Sequence, residues 1–564
     1  MNASRLHLSV LVVALAAVAC RGSDEEGDGD DGLTGIDTLG FDEDAVEEQC
    51  LETSVVTPTL RRMTGNEYEA TIRSVFPAIA SDWAGTEMGG APLASVTQFT
   101  NDGSSLVVAT QVGRQIFESA RDAADLLTAP GTLESVLPCA GAGDSACAQT
   151  FVETYGPQLH RRDLTESEVG DYVALYDQVA SSSDFPTGLR WMIIAMLQSP
   201  HTVYRSELGD YGTAQGDEVV LEPHEVASAL AYAFSGQPPS DELLGLAESG
   251  ALYEPEARVE QARLMLNSPE GRQLVQQFFV EWTGYGRVLG ADRLQDGSSE
   301  LDESFAAVRD DMAEETAQFL DRVVFEDGGS LRDLMLSETT MLNGALASYY
   351  GYGSAGGDAF EPVSKPEQWG RGLLAQGAFL AARARPDTSS PTQRGLAVLD
   401  HITCTPRPSA PDQVPPLGEV EDPGDASTTR ARWETLHLGN EQCSGCHLAF
   451  DPTGFAFENF DAKGRYRSEE NGFEVDAKGS IRLDGETVMI DGVNELSGEL
   501  AESPQVAECV SGMLAAYAYG NREGNACVPA GLADGMMDDD LALIDVMATL
   551  AGSPLFVTRL RTSG

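Results

Sequence analysis

The chain has 564 residues, 42% of them hydrophobic and 22% charged, which is the composition of a globular protein too long to be one small module. Its 35 basic and 90 acidic residues leave a formal net charge of -55. Because this charge repels phosphate backbones, the sequence excludes nucleic acid as an expected partner.

The first twenty residues have the pattern of an export signal. Arg5 precedes an apolar run over residues 8–19 that is too short to span a bilayer. Small residues end at Cys20, as in a bacterial lipoprotein signal, although Ala17 stands where Leu is usual. Residues 1–20 are therefore predicted to be a signal peptide with Cys20 as the lipidated residue. The alternative is ordinary signal cleavage, with Cys20 discarded or free.

Both alternatives predict an exported protein, periplasmic or held at the outer membrane or cell surface. No later apolar run reaches membrane-spanning length, so the expected membrane contact is the lipid anchor alone. The next segment, residues 21–50, is predicted to be a disordered tether, because twelve acidic residues lie between Asp24 and Glu48 without a repeating apolar face.

Beyond the tether, the pattern is mainly helical. Thr64 with Glu67, and Thr165 with Glu168, form capping boxes that predict helix starts. Further helix starts are predicted where Ser precedes Pro, at positions 268, 503 and 553. Alternating residues over 473–489 predict one small β-hairpin. The predicted fold class is mainly α, a helical body of several segments with a C-terminal cytochrome c-like helical domain and a small β-hairpin.

The nine cysteines predict disulfides, since thiols seldom stay reduced outside the cytoplasm. Without Cys20 and the close pair Cys443/Cys446, six cysteines are left, which allow 15 connectivities. Nearness in sequence favours the pairs Cys139–Cys147, Cys509–Cys527 and, by remainder, Cys50–Cys404.

The segment from Cys443 to His447 reads C-S-G-C-H, the attachment sequence of a c-type haem. Its two thiols are predicted to bind the porphyrin as thioethers, and His447 is predicted to be the proximal iron ligand. One alternative is a redox or structural disulfide between Cys443 and Cys446. Another is half of a zinc site, which would need a second ligand pair at similar spacing that the sequence lacks.

Other metal or catalytic patterns are incomplete. His224-Glu225 begins like a zinc-protease motif but lacks its second histidine. The remaining histidines carry little information without partners and are interpreted as structural or surface residues: His160, His201, His401 and His437.

The residues around the haem motif, CSGCHLAFDPTGFAFENFDAKGRYR over 443–467, resemble the planctomycete cytochrome-C-like family of exported proteins. Further segments carry the same resemblance, including LRRMTGNEY at 60–68, LQSPHTVYR at 197–205 and TSSPTQRG at 388–395. The family implies one covalent haem c and often an exported partner encoded nearby. With the signals above, it divides the chain into predicted parts: signal peptide 1–20, tether 21–50, helical domains 51–150, 151–215 and 216–360, cytochrome-C-like domain 361–470 and helical domain 471–564.

Residues outside the motif extend the predicted haem site. Arg465 and Arg467 are expected to pair with haem propionates, and Trp433 to pack against the ring, the alternative being ordinary ion pairs and a core tryptophan. Met489 or Met513 is a candidate distal ligand, the alternative being a core residue, since methionine at helical spacing is more often core. Asp451, Glu458 and Asp461 lack the spacing of a calcium loop, so no calcium site is expected.

Three functions remain open on the sequence alone. The first is an envelope-anchored c-type haem protein that passes electrons to a redox partner protein in the envelope. The second is a haem enzyme or sensor with an open iron, peroxidase-like in character. The third is a non-haem surface scaffold with an oxidised Cys443–Cys446 pair. Whether the protein is an enzyme is left undecided.

Overall fold

Helices form most of the described chain, and every sheet in it has two strands, which confirms the mainly α prediction. The computed structural model describes residues 59–90, 99–209, 218–290, 303–353, 356–408, 427–439, 441–520, 531–538 and 541–560. All of these residues belong to one unit, residues 43–564. The predicted signal peptide, the tether and Cys20 lie outside the described residues.

The predicted capping boxes are present. Thr64 Oγ1 accepts from the backbone N–H of Glu67 at 3.1 Å, and the Glu67 carboxylate accepts from the N–H of Thr64 at 2.7 Å. Thr165 and Glu168 repeat the arrangement at 3.2 and 2.8 Å. Each box satisfies two donors that the first helical turn leaves without partners, so both helices begin where the sequence predicts.

The Ser-Pro pairs give a mixed outcome. Ser268 and Ser503 cap helices that run over Pro269–Thr283 and Pro504–Tyr519. Ser553 starts only a single 3-10 turn, Pro554–Phe556, after which the chain enters a strand. The α-helix predicted to start at Ser553 is therefore wrong, because the serine cap is present but only a 3-10 turn follows it.

Residues between Met63 and Val203 form one hydrophobic core, which Tyr232 joins. Tyr68, Ile72, Leu127 and Phe151 are fully buried in it. Its helices are α1 (Gly65–Val75), α2 (Thr110–Leu127), α3 (Thr132–Val136), α4 (Ser145–His160), α5 (Glu166–Ala180), α6 (Phe185–Leu197) and α7 (Pro200–Val203).

A second hydrophobic core is built from residues between Leu221 and Phe556, together with Phe99. The helices that surround it or lie beside it are α8 (Pro223–Phe234), α9 (Asp241–Glu248), α10 (Pro255–Leu266), α11 (Pro269–Thr283), α12 (Glu303–Asp321), α13 (Leu331–Leu336), α14 (Gly344–Tyr350), α15 (Gly377–Ala382), α16 (Pro391–Ala397), α17 (Thr429–Trp433), α18 (Glu441–His447), α19 (Asp451–Phe455), α20 (Gly492–Ala501), α21 (Pro504–Tyr519), α22 (Leu532–Asp538) and α23 (Leu543–Thr549).

The strands pair in antiparallel twos. Four of the five pairs are β1 (Thr59–Arg62) with β2 (Tyr204–Glu207), β3 (Glu218–Val220) with β10 (Thr558–Leu560), β4 (Thr339–Leu342) with β5 (Glu361–Ser364), and β6 (Glu469–Glu470) with β7 (Phe473–Glu474). The fifth pair, β8 (Lys478–Leu483) with β9 (Glu486–Asp491), is the largest, with six residues a strand. Asp484 and Gly485 connect its strands with φ of 51° and 83°, the conformation of a type I′ turn. The region predicted to hold one hairpin therefore holds two, since residues 473–474 pair backwards with 469–470.

A buried ion cluster links β2 to β10 and to α1. Arg205 donates to Glu67 at 2.8 Å and to Glu207 at 3.3 Å, and Arg559 of β10 donates to the other oxygen of Glu207 at 2.6 Å. Burial opposes ionisation of Glu207, but Arg559 and Arg205 outweigh it and lower its pKa to about 2. The ionised carboxylate of Glu207 thus depends on guanidinium groups from β2 and β10.

Two disulfides are present among the described cysteines. Cys139 and Cys147 are bridged, as predicted. Cys404 is bridged to Cys509, so the predicted pairs Cys50–Cys404 and Cys509–Cys527 are wrong. The reason is tertiary: Gln505, one helical turn before Cys509, donates to the carbonyl oxygen of Thr403 at 2.9 Å and sets that face of α21 beside Cys404. Cys50 and Cys527 lie outside the described residues.

Within the described ranges, every helix is too short or too polar to traverse a bilayer.

Candidate functional site

The C-x-x-C-H segment forms the last part of α18. Cys443, Cys446 and His447 are half-buried there, and both thiols are unbridged, whereas every other cysteine in the described ranges is in a disulfide. Residues three apart share a helix face, so the two sulfurs lie on one side of the helix. Nothing lies within 4 Å of a Cβ built on Gly445, and Leu448 is 59% exposed, so the surface around the motif is open.

The imidazole of His447 is bound to a buried carboxylate. Its Nδ1 lies 2.9 Å from Oδ2 of Asp451, whose side chain is 0% exposed. The turn 448–450 separates α18 from α19, and Asp451 is the first residue of α19. Because a carboxylate accepts and does not donate, Nδ1 of His447 carries the proton, and Nε2 keeps its lone pair for a metal.

A second histidine shares the same oxygen. Nδ1 of His437 lies 3.0 Å from Oδ2 of Asp451, and the rings of His437 and His447 are 4.0 Å apart between centroids. His437 reaches this position because the chain after α17 widens into a π-helical turn over Glu434–Leu438. The sequence interpretation of His437 as a structural or surface residue is incomplete, since its ligand atom lies within 4.8 Å of those of His447 and Asp451.

Further hydrogen bonds hold the Asp451 carboxylate from its other side. The hydroxyl of Thr392 donates to Oδ1 at 2.7 Å, and the indole N–H of Trp433 donates to the Thr392 oxygen at 2.8 Å. Burial by itself raises the pKa of Asp451, but the bonds from His437, His447 and Thr392 together lower it below its usual value. Asp451 is therefore an ionised, fully buried acceptor of three side-chain hydrogen bonds.

The platform under the site is the segment TSSPTQRG over 388–395, which contributes Thr392. A Cβ on Gly454 would lie 1.9 Å from the carbonyl oxygen of Pro391, and one on Gly395 would lie 2.0 Å from that of Phe450. Backbone thus meets backbone where α16 crosses α19. The guanidinium of Arg394 is fully buried and donates to four carbonyl oxygens, those of Leu380, Phe457, Phe460 and Asp461.

Both arginines predicted to bind haem propionates have carboxylate partners within the chain. Arg465 donates to Asp461 at 2.9 Å. Arg467 pairs with the buried Glu458 at 3.2 Å and with Glu470 at 2.7 Å. Their contact with propionates stays a prediction. Within the structure they fix the loop that follows α19.

The other predicted haem contacts differ in exposure and in position. Met489 is 72% exposed on β9, and Met513 is 6% exposed inside α21. Trp433 is 3% exposed, meets the ring of His437 edge-on at 5.3 Å and lies under the guanidinium of Arg385. The distal-ligand role of either methionine, and a contact of Trp433 with the porphyrin, stay predictions.

The donors present suit a c-type haem. Thioether attachment needs two thiols on one helix face with a histidine next to the second, and Cys443, Cys446 and His447 supply them. The bond from His447 Nδ1 to Asp451 fixes the tautomer that ligates through Nε2. An alternative donor set for a metal ion, His437 with His447 and Asp451, uses no sulfur and would leave both thiols without a role.

Sequence reasoning missed two of the residues that build this site, Thr392 and His437, and it missed the bond from Asp451 to His447. One signal for Asp451 was available, because it stands four residues after His447, the spacing of neighbours on a helix. His437 and Thr392 are 14 and 59 residues from Asp451, and neither distance corresponds to a local pattern.

Three family models match the chain. PSD5, described as a protein of unknown function (DUF1595), matches residues 147–207. PSD4, a protein of unknown function (DUF1592), matches residues 221–352, and PSCyt3, a protein of unknown function (DUF1588), matches residues 370–470. The whole histidine–aspartate site lies inside the PSCyt3 match. No curated protein and no solved structure matches the chain.

Proposed function

Because this chain carries three domains of the planctomycete cytochrome-C-like group, we propose that it is a c-type haem protein of the cell envelope that transfers single electrons. Cys443 and Cys446 anchor one haem, and His447 ligates its iron through Nε2. The observation that carries the proposal is the pair of unbridged thiols beside an imidazole whose Nδ1 is already bound to a buried carboxylate.

Attachment requires only the thiols of this chain and the vinyl groups of the porphyrin. Each cysteine sulfur forms an S–C bond to a vinyl carbon, and the thiol hydrogen goes to the other carbon of that group. No oxidant or reductant is consumed. Once bound, the haem supplies a one-electron Fe(III)/Fe(II) couple.

The exposure of α18 supports exchange of electrons with another protein. His447 is 23% exposed, and Leu448 beside it presents an apolar side chain to solvent. Redox encounters use small, transient interfaces, for which one exposed edge of a cofactor is sufficient. The partner in this proposal is a redox protein of the envelope, of which an exported protein encoded nearby is one form.

Export and lipid anchoring belong to the same proposal. The signal-like residues 1–20 and the lipidation candidate Cys20 support them. The disulfides Cys139–Cys147 and Cys404–Cys509 are of the kind that persist in an oxidising compartment. Haem is attached to C-x-x-C-H motifs in that same compartment, so the two features agree.

The test is to express the full chain with its signal sequence in a bacterium that contains the haem-attachment machinery. The purified protein is expected to show the spectrum of a covalent haem and the added mass of one haem. A C443S/C446S variant should lose both, whereas the control S444A, changed within the same helix turn, should keep both. A colourless wild-type protein with Cys443 disulfide-bonded to Cys446 would contradict the proposal.

Carbon monoxide tests whether the haem is a carrier or a reactive centre. A six-coordinate ferrous haem binds carbon monoxide poorly, whereas an open iron binds it at once. We expect poor binding in the wild-type protein. Faster binding in M489L or in M513L would identify the distal ligand, and rapid binding in the wild type would replace electron transfer by an open-iron function.

A further inference from the structure

We propose that Asp451 is the positioning residue that makes His447 a strongly electron-donating ligand and so holds the haem at a low reduction potential. This inference rests on the proposed haem function and deepens it. It concerns the class of redox partner that the site can serve.

The carboxylate is built into the fold before any ligand binds. Asp451 is 0% exposed, and Thr392 holds its Oδ1 at 2.7 Å. The close crossing of α16 and α19 at Gly395 and Gly454 fixes the backbone on both sides of that bond. His447 therefore meets a carboxylate that cannot turn away.

A carboxylate differs from the backbone carbonyl or water that also serves as partner for a ligating histidine. All three fix the tautomer, but the negative charge of a carboxylate also raises the basicity of the imidazole. A more basic ligand stabilises Fe(III) more than Fe(II), so the reduction potential falls. Hydrogen bonding to the axial ligand is one of the established levers on haem potential.

His437 weakens this effect, because it draws on the same oxygen. Its Nδ1 lies 3.0 Å from Oδ2 of Asp451, against 2.9 Å for His447. Two donors on one oxygen divide its charge, so each receives less than it would alone. The two changes should therefore shift the haem reduction potential in opposite directions. Removal of the Asp451 charge should raise it, and removal of His437 should lower it.

The consequence is a directional preference. A haem whose ferric form is stabilised in this way gives electrons readily and accepts them only from strong reductants. The partner that takes electrons from it is therefore a centre of higher potential.

The experiment is a spectroelectrochemical titration of the full haem-loaded protein. D451N removes the charge but keeps an oxygen acceptor, and it should lower the ferric-to-ferrous ratio at the wild-type midpoint at least tenfold, or about 59 mV for one electron. The iron–histidine stretching frequency should fall with it. The control D122N makes the same change in a carboxylate that binds Arg121 at the surface instead of His447, and should leave both readouts unchanged.

A second variant, H437F, tests the role of Asp451 if D451N does not fold. H437F keeps an aromatic ring against His447 but frees the shared oxygen, and should lower the potential. An unchanged or raised potential in folded H437F, or an unchanged one in D451N, overturns the role of Asp451. A wild-type protein without haem contradicts the proposed function instead, so the two failures are distinguishable.

Discussion

Gly454 lies in backbone contact with Pro391, whose carbonyl oxygen would be 1.9 Å from a Cβ at position 454. Gly395 repeats the contact in the opposite direction, against the carbonyl of Phe450 at 2.0 Å. These two positions bring α16 against α19 closely enough for Thr392 to reach Asp451. The architecture of the site thus depends on two residues without side chains.

The first prediction is that G454A or G395A destabilises the protein. Neither helix can accept a methyl group without backbone movement, so we expect each variant to lose about 2 kcal/mol or more of the free energy of unfolding. Urea denaturation of the haem-free protein measures this. The control is G445A in α18, where a Cβ meets nothing and alanine should be neutral or stabilising. Equal stability of all three variants would contradict the close contact.

The second prediction concerns Arg394. R394M would remove the guanidinium donor from four carbonyl oxygens. Those of Phe457 and Asp461 keep backbone donors, the N–H groups of Phe460 and Gly464, whereas each buried acceptor left without a partner costs about 1–3 kcal/mol. We therefore expect a loss of about 2 kcal/mol or more from the oxygens of Leu380 and Phe460, measured as a fall in the denaturation midpoint. R121M is the matched control, because Arg121 pairs with Asp122 at the surface, where solvent screens the pair and leaves it little effect on stability. A loss no greater than that of R121M would show that the carbonyls find other donors.

The third prediction compares the two disulfides. Cys404–Cys509 closes a segment of 105 residues and Cys139–Cys147 one of 8. Because a longer loop loses more entropy when it is closed in the unfolded chain, C404A/C509A should cost about 4.7 kcal/mol and C139A/C147A about 2.5 kcal/mol. Thermal denaturation of the two double variants measures the difference. The reverse order of stability would show that native contacts, and not loop length, determine the effect.

The fourth prediction is loss of stability in mild acid. Burial, with nearby cationic groups, lowers the pKa of both His160 and His401 from 6.5 to about 3. Between pH 6.5 and about pH 3, these histidines are protonated in the unfolded chain and neutral in the folded chain. The two histidines therefore do not reduce the free energy of unfolding above pH 6.5, and they reduce it progressively as the pH drops towards 3. At pH 5 we expect a loss on the order of 1–2 kcal/mol for each histidine.

Urea midpoints at pH 7.5 and 5.0 measure this fourth effect. The double variant H160Q/H401Q should lose less stability between the two pH values than the parent does. Between pH 9 and 7.5, where both histidines are neutral in either state, parent and variant should behave alike. The same acid sensitivity in both proteins would assign the effect to other groups.

Local patterns were predictable from the sequence, and contacts between distant segments were not. The capping boxes at Thr64 and Thr165 were found because donor and acceptor lie within three residues of each other. Cys139–Cys147 was found for the same reason. Cys404–Cys509 was missed because it depends on how the start of α21 packs against residues 403–405.

The candidate site divides in the same way. Cys443, Cys446 and His447 form a contiguous motif whose chemistry can be stated without a fold. The bond between Asp451 and His447 was only partly predictable. The two residues have helical spacing, but the break at residues 448–450 places them in different helices. His437 reaches the site through a π-helical turn. Thr392 reaches it because two glycines lie against two backbone carbonyls. A single sequence predicts neither the turn nor these contacts.

The bond between Glu207 and Arg559 joins residues that the ribosome makes at very different times. They are 352 positions apart, so at about 5–20 residues per second roughly 20–70 s pass between their syntheses. Throughout that interval Arg559 cannot pair with Glu207, and the strand that pairs with β3 has not been made. A chain that stops before residue 559 lacks this bond, so a residue made long after Glu207 completes an ion cluster that Arg205 and Glu207 begin.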